Sequence, residues 1–163
     1  MAWKRIVNAS PVIFLTRLGR VDLLSEPGVV VVVSDAVLDE LGRLGPMDPA
    51  AMMVRSTPWI HVVPTPAIPD FLQVPKLGAG ETAVLALALA EIGPDKDVVI
   101  DDWKARRRAE GLGIPLRRTL ACLLIAKGLG RIDSLRPLLE QLRQSGMYLS
   151  DQLMRQVLKQ AGE

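Results

Sequence analysis

Five polar residues, far apart along this chain, have the side chains that bind a hard cation. Four are carboxylates, Glu40, Glu81 and the adjacent Asp101 and Asp102, and the fifth is Asn8, whose amide oxygen is also a hard ligand. Clustered carboxylates repel one another unless a proton or a cation lies between them. If the fold brings these residues together, we expect a site for a hard metal ion.

The pattern of apolar residues predicts the elements that would position them. Apolar runs alternate with amphipathic segments, and the five consecutive valines at 29–33 are typical of an interior strand of a parallel sheet. The predicted strands are 6–7, 29–33, 59–63, the segment DVVIDD and 114–116. The predicted helices are 11–18, 35–44, a short one within 46–58, one from Gly80, 103–111, 119–128, 133–145 and 150–161. This order predicts a three-layer α/β/α sandwich with a parallel sheet of about five strands.

Functional groups in open parallel sheets collect beyond the carboxyl ends of the strands. Asn8 leaves the first predicted strand, and Asp101 and Asp102 leave the fourth. Glu40 lies in the helix after the second strand, and Glu81 lies in the first turn of the helix before the fourth. All five are therefore expected at one rim of the sheet.

Each of these residues also has a simpler interpretation. Glu81 could stabilise the positive end of its helix, and Asp102 could cap the helix that begins at Trp103. Glu40 could be a solvated charge on a helix face, and Asn8 could be a turn residue. Their coincidence at one rim favours a site.

Composition limits the class of protein. The chain has 163 residues, of which 49% are hydrophobic, which predicts one domain over 1–163 with 133–161 as an appended helical hairpin. The single cysteine, Cys122, and the single histidine, His61, exclude an internal disulfide and a zinc cage of thiolates or imidazoles. Without a long apolar segment or a recognisable export signal, a cytoplasmic protein is expected.

Basic residues follow the acidic pair. The formal net charge is only +2, so attraction to nucleic acid must come from local clusters. Lys104, Arg107 and Arg108 share one face of a predicted helix and, with Arg118, could bind phosphates. A solvated helix face is the alternative. Trp103 could stack an unpaired base, although a core position is the commoner role of such a residue.

Several segments carry a family resemblance. They are IVNASPVIFLTRLGRVDLL, VVVVVSDAVLDELGR, LGAGETAVLALALA, VVIDDWKARRRAEGLGIPLRRTLACLLIAKGLGRI and the ending AGE. Together they resemble the PIN-domain superfamily, in a branch long catalogued as a domain of unknown function and similar to VapC-type toxin nucleases. The resemblance covers nearly the whole chain, and the combination of GAGE, IDD and a downstream ARR is its most specific part.

The resemblance implies a role for each residue. Asn8 stands at the family's first acidic position, Glu40 at the second, Glu81 at the third, and Asp101 or Asp102 at the last. Asn8 departs from the general pattern, because an amide ligates Mg²⁺ without a negative charge and cannot act as a base. Ser10 and Thr119 lie beside these motifs, and RRTLA departs from the branch's usual GTLG by placing Arg118 and Ala121 around Thr119.

The resemblance also implies a function. It is hydrolysis of RNA by a Mg²⁺ or Mn²⁺ endoribonuclease, in which a water made acidic by the metal attacks phosphorus. The implied context is the toxin of a toxin–antitoxin pair. The alternative is a catalytically weak RNA-binding or protein-docking module, in which Asn8 has weakened the metal site.

Two apolar regions could contact a partner. One is the proline-rich segment 64–77, a surface connection and candidate lid, and the other is the pair of terminal helices. An antitoxin helix or a second copy of the chain could cover them, and packing within the monomer is the alternative. The apolar residues of the terminal helices are Leu138, Leu139, Leu142, Leu153 and Val157.

Overall fold

A wholly parallel five-stranded sheet forms the centre of the molecule, as seen in a computed structural model that describes residues 2–163. The strand order is β3-β2-β1-β4-β5. The strands are β1 (Trp3–Val7), β2 (Val29–Ser34), β3 (Ile60–Val63), β4 (Lys96–Val99) and β5 (Leu116–Arg117). The predicted α/β class and the predicted five parallel strands are confirmed.

Helices separate the strands along the chain, and two of them, at 103–111 and 119–128, have the predicted bounds. The helices are α1 (Ala9–Arg17), α2 (Asp35–Leu41), α3 (Pro49–Ser56), α4 (Ala79–Ala90), α5 (Trp103–Gly111), α6 (Thr119–Gly128), α7 (Arg136–Gln144) and α8 (Asp151–Gln160). Short 3₁₀ helices occupy Val21–Leu24, Gly42–Leu44 and Asp70–Leu72. Within residues 2–163, no helix is both long and apolar enough to cross a bilayer.

The order of the strands places a crevice between β1 and β4. From β1 the chain adds β2 and β3 on one side, whereas β4 and β5 lie on the other side. Such a reversal opens a crevice at the carboxyl ends of the two central strands. Asn8 follows β1 directly and its backbone N–H donates to the Val99 carbonyl of β4 at 3.1 Å, so the two strand ends are joined at this point.

The second predicted helix ends earlier than expected. Ser34 caps α2 by accepting a hydrogen bond from the Val37 N–H at 3.0 Å, but the α-helix stops at Leu41. The chain tightens into a 3₁₀ turn and leaves through Gly45, whose φ of +126° few other residues adopt. Leu44, which the predicted helix over 35–44 includes, lies outside α2 and is 88% exposed. That prediction is wrong because apolar spacing continues in the sequence after the helix has ended.

The terminal helices pack against the main core. Leu139 and Leu142 of α7 and Val157 of α8 are buried, and Leu138 and Leu153 are partly buried against the same cluster. The prediction that these residues form an apolar surface for a partner is therefore wrong. Their strong amphipathic pattern is explained by burial within the monomer.

One face of the sheet contains a buried ion-pair network, formed by Arg5, Glu26, Asp97 and Arg117. Arg5 and Asp97 are opposite one another on β1 and β4, and their side chains pair at 3.0 Å. Arg117 binds the second Asp97 oxygen at 2.8 Å, and Glu26 contacts both arginines. Arg5 is 1% exposed and Asp97 2% exposed. Each charge in this network has an opposite charge as its partner.

Candidate active site

Asn8 begins α1 but does not cap it. An asparagine at this position normally accepts a hydrogen bond from the backbone N–H two or three residues later. Here the third residue is Pro11, which has no N–H, and the Asn8 side chain makes no capping bond. Instead its Nδ2 donates to Glu81 Oε1 at 3.3 Å, while Oδ1 is buried and has no hydrogen-bond partner. Asn8 is thus turned toward the rim rather than toward its own helix.

Gly80 allows two oxygens to approach the first turn of α4. A Cβ on Gly80 would lie 2.2 Å from Glu40 Oε2 and 3.3 Å from Asn8 Oδ1. The backbone of Gly80 is ordinary helix, so its small size rather than an unusual φ is what the position requires. Glu40, Asn8 and the start of α4 therefore meet at the space where a side chain is missing.

Glu40 and Glu81 are close enough to influence each other. Burial raises the pKa of Glu40 above its ordinary value, and the negative charge of Glu81 raises it further. Arg43 has a smaller opposite effect on the same pKa. Both carboxylates are partly buried, so Glu40 is not a freely solvated helix charge.

Asp101 and Asp102 differ in how many of their carboxylate oxygens accept hydrogen bonds from the protein. Asp101 accepts two bonds from Thr119, at 2.9 Å from the backbone N–H and 2.6 Å from the hydroxyl. Thr119 is fully buried and so fixes this carboxylate firmly. Asp102 caps α5 through one oxygen, which accepts from the Ala105 N–H at 2.9 Å. Capping, the simpler interpretation of Asp102, is thus observed, and it leaves the second oxygen of that carboxylate available.

A cavity of about 380 Å³ joins one side of this region. Glu81, Asp101 and Asp102 line it together with Ser10 and Arg118. The loop between α7 and α8 forms another wall, through Gly146, Met147 and Tyr148. Glu40 faces a separate cavity of about 220 Å³ that Arg17 and Asp48 also line. We call Asn8, Glu40, Glu81, Asp101 and Asp102 the acidic rim.

Part of the predicted basic surface lies next to the acidic rim. Lys104 and Arg107 line an open groove of about 370 Å³ with Trp103, and the Arg107 guanidinium lies 5.8 Å from the centre of the indole ring. Trp103 is 62% exposed, so the core interpretation of this residue is wrong. Arg108 also borders the groove, but its guanidinium donates to the Phe71 carbonyl. Arg108 is therefore partly engaged in holding the 64–77 segment.

The acidic rim has the donor set of a magnesium site without being a preformed cage. No group of three or more Asp, Glu, His or Cys side chains within residues 2–163 lies close enough to hold a metal ion. Mg²⁺ is usually bound through one or two carboxylates, several waters and the phosphates of a substrate. The unpartnered Oδ1 of Asn8, whose Nδ2 contacts Glu81, together with Asp101 and Asp102 in the cavity that Glu81 also lines, fits that mode of binding.

The cysteine does not provide a competing nucleophile. Cys122 is buried on α6, and this burial raises the pKa of its thiol to about 11. A thiol that holds its proton so firmly is unreactive near neutral pH. Catalysis by a cysteine is excluded on this ground.

The structure thus brings Asn8, Glu40 and Glu81 together and places Asp101 and Asp102 in a cavity shared with Glu81. Sequence reasoning missed Gly80 as a contact position, although the GAGE motif contains it. It also missed the α7–α8 loop. Tyr148 of that loop gave no signal because it lies 46 residues after Asp102.

Comparison with known proteins gives a consistent result. A family model described as "PIN domain" matches residues 4–163. Among solved structures, "Structure of the PIN domain endonuclease Utp24" matches with a TM-score of 0.51 and 15% sequence identity, covering 71% of this chain and 84% of that chain. At this identity the likeness shows the fold alone. A search of curated proteins finds no match.

Proposed function

Because this chain belongs to the PIN-domain family, whose members are generally nucleases, we propose that it is a metal-dependent endoribonuclease that hydrolyses RNA phosphodiester bonds. One observation carries the proposal. The Asn8 oxygen is buried without a hydrogen-bond partner, near the same point of Gly80 as Glu40, and the Nδ2 of the same amide contacts Glu81. A buried acceptor of this kind is costly unless a ligand satisfies it.

Four residues would hold the cation. Asn8, Glu81, Asp101 and Asp102 are the proposed ligands, and Mg²⁺ or Mn²⁺ is the proposed ion. When bound, the ion would supply Lewis-acid stabilisation of the charge that develops on the phosphate. Glu40 is the further proposed catalytic carboxylate, because it reaches the same point of α4 as Asn8.

The other residues would orient the site and the RNA. Thr119 holds the Asp101 carboxylate through two hydrogen bonds, which fixes its direction before any ligand binds. Ser10 lines the cavity and offers a hydroxyl to an RNA oxygen. Lys104, Arg107, Arg108 and Arg118 would bind backbone phosphates, and the exposed Trp103 would stack an unpaired base.

The experiment is an RNA cleavage assay on matched variants. The wild type is expected to cut RNA with Mg²⁺ or Mn²⁺ and to stop in EDTA, and Asp102→Asn should be inactive while retaining its helix cap. Glu140→Gln, at an exposed position of α7, is the matched control and should cut normally. Undiminished cleavage in EDTA would end the metal mechanism.

A second candidate is a catalytically weak RNA-binding or protein-docking module. It is favoured by the neutral Asn8 and by the lack of a cluster of three metal-binding side chains in the described part of the chain. This candidate predicts RNA binding that EDTA does not change and no cleavage at any Mg²⁺ concentration. The same assay, read together with RNA binding, separates the two.

The biological context is a further part of the proposal. We propose a cytoplasmic toxin, folded as one domain over 1–163 and held by a small antitoxin, with a homodimer as another possible assembly. The support is the resemblance to toxin nucleases. Induced expression in bacteria should stop growth, Asp102→Asn should relieve the arrest, and a small protein encoded next to this gene should restore growth. Growth that continues unaffected by the wild-type protein would contradict the toxin role.

A further inference from the structure

Two arginines flank the acidic pair without pairing with it. Arg106 lies one turn into α5, where its backbone N–H donates to the Asp102 carbonyl at 3.0 Å. Arg118 follows β5, and the neighbouring Arg117 carbonyl accepts from the Ile100 N–H of the segment that leads to Asp101. Arg106 therefore approaches the Asp101–Asp102 dipeptide from the α5 side and Arg118 from the β5 side.

Both guanidiniums have unused hydrogen-bonding capacity. Nε of Arg106 and Nε of Arg118 are buried and have no partner. Within residues 2–163, neither side chain donates a hydrogen bond or comes within ion-pair distance of a carboxylate. Arg108 also has a buried, unpartnered Nε, but its guanidinium is bonded to the Phe71 carbonyl.

The two positive charges are also close enough to repel each other. Burial lowers the pKa of Arg106 from its ordinary value, and the Arg118 charge lowers it further, against smaller opposing effects of Asp101, Glu110 and Asp102. Two like charges with unused donors are costly in a partly buried site. An oxyanion between them would remove both costs, because guanidinium groups bind phosphate through paired N–H donors.

We propose that Arg106 and Arg118 together bind one backbone phosphate of the RNA at the edge of the cavity that Arg118 lines with Glu81, Asp101 and Asp102. This inference rests on the proposed function and assigns a residue, Arg106, that the site description had left without a role. Both arginines would bind the RNA directly and hold it beside the acidic rim, whereas Lys104 and Arg107 would contact phosphates outside the cavity, along the open groove.

The test measures RNA binding in EDTA, where no cleavage takes place. A labelled short single-stranded RNA is titrated with the wild type, Arg106→Gln, Arg118→Gln and the double variant, at several salt concentrations. Each single substitution should weaken binding about 10-fold, which corresponds to the loss of one good contact. The slope of log affinity against log salt should fall by about 0.7, the value for one phosphate of a single strand. Since both arginines hold the same phosphate, the double variant should lose little more than either single variant.

Controls separate this role from a structural one. Arg155→Gln removes an exposed charge from α8 and should bind RNA as the wild type does. Arg106→Lys should restore the salt slope but only part of the affinity, because lysine lacks the planar fork. The melting temperature should stay level or rise in Arg106→Gln, since a repulsion is removed. A fall in melting temperature with unchanged RNA affinity would show a structural role and overturn the inference.

Further outcomes are decisive in either direction. Inorganic phosphate should compete with RNA for the wild type but not for variants that lack either arginine. This result would support the arginine pair as the phosphate site. If the protein binds inorganic phosphate but not RNA, the arginine pair does not bind a phosphate of RNA, and the inference is overturned. If the wild type binds RNA with the predicted losses but never cuts it, the endoribonuclease proposal fails and the phosphate site stands. Equal RNA affinity in all variants overturns the site.

Discussion

Two groups of charged residues are held by the same two central strands, and they have opposite electrostatic designs. The buried ion-pair network joins Arg5 of β1 to Asp97 of β4, and each charge in it is matched at distances of 2.8 to 3.5 Å. The acidic rim begins three residues after Arg5, at Asn8, and four residues after Asp97, at Asp101. There the carboxylates are held by neutral donors, and Glu40 and Glu81 repel each other.

The difference teaches how to separate structural charges from functional ones. Paired charges inside a sheet compensate each other without a ligand, and removing one partner leaves the other charge buried and less compensated. Like charges collected around a buried, unpartnered oxygen are incomplete until something positive binds. Substitutions in the first group should therefore damage folding, and those in the second should damage activity.

The largest effect is expected from breaking the network. Asp97→Asn leaves Arg5 and Arg117 with only Glu26 as an opposite charge, and loss of one partner of a buried ion pair costs up to about 3–5 kcal/mol in the free energy of unfolding. Urea denaturation measures this loss. Asp95→Asn, two residues earlier and exposed, should be neutral. A loss no larger in Asp97→Asn than in Asp95→Asn would mean that the network contributes little.

Next comes the opposite test at the acidic rim. Glu81→Gln should lower RNA cleavage at least about 100-fold, since even residues that only orient metal ligands cost 10- to 100-fold. Its melting temperature should stay level or rise, because a negative charge next to Glu40 is removed. Kinetics and thermal melts on one preparation check both parts, with Glu140→Gln as control. A variant that retains activity but melts early would place Glu81 with the structural charges.

A smaller effect is expected from adding a charge at Asn8. Asn8→Asp removes the hydrogen bond to Glu81 and adds a third negative charge beside Glu40 and Glu81, which should destabilise the metal-free protein by about 2 kcal/mol. The same substitution should tighten Mg²⁺ binding, because hard cations gain affinity with ligand charge. Calorimetric Mg²⁺ titration and melting curves measure the two effects. The control Gln152→Glu adds an exposed charge on α8 and should change neither the Mg²⁺ affinity nor the melting temperature. If Asn8→Asp also changes neither quantity, Asn8 does not belong to the site.

The smallest effect concerns pH. The raised pKa of Glu40 means that the folded protein binds this proton more tightly than the unfolded chain does. This tighter binding of the proton stabilises the folded protein fully below the ordinary glutamate pKa of about 4.3. The stabilisation is lost as pH rises through the higher pKa that Glu40 has in the folded state. Glu40→Gln should therefore stabilise the protein by about 0.5 kcal/mol at neutral pH. Melting curves from pH 3 upward should show the gain only above about pH 4.3, and a gain that is the same at all pH values would have another cause.

The sequence was sufficient for the elements but not for every contact between them. The valine run and the helices after Asp102 and Arg118 are local patterns, and local patterns determine local structure. The pairing of Arg5 with Asp97 joins residues 92 positions apart, and no local sequence pattern around either residue predicts it. Trp103 was misjudged as well, because its apolar type suggested the core whereas the side chain, in the first turn of α5, is 62% exposed.

Within the acidic rim, sequence reasoning identified residue types but not their orientation. Asn8 contacts Glu81 instead of capping α1, and Pro11 lacks one of the two N–H groups from which the amide oxygen could have accepted a capping bond. That Thr119 uses both oxygens of Asp101 depends on the β4–β5 register, which the fifth strand, only two residues long, hardly reveals. Such features arise from tertiary packing, and a single sequence records them only weakly.

Gly80 shows how a saturation mutagenesis experiment on this protein could mislead. Alanine is a better helix former than glycine, so a screen for thermal stability would reward Gly80→Ala for its helix propensity. Yet the new methyl carbon would lie 2.2 Å from the present position of Glu40 Oε2, and the carboxylate would have to leave. A screen for growth arrest or RNA cleavage would score the same substitution as harmful. At this position a stability screen and an activity screen would rank the same substitution in opposite ways. Only the activity screen would detect that the absence of a side chain lets Glu40 approach α4.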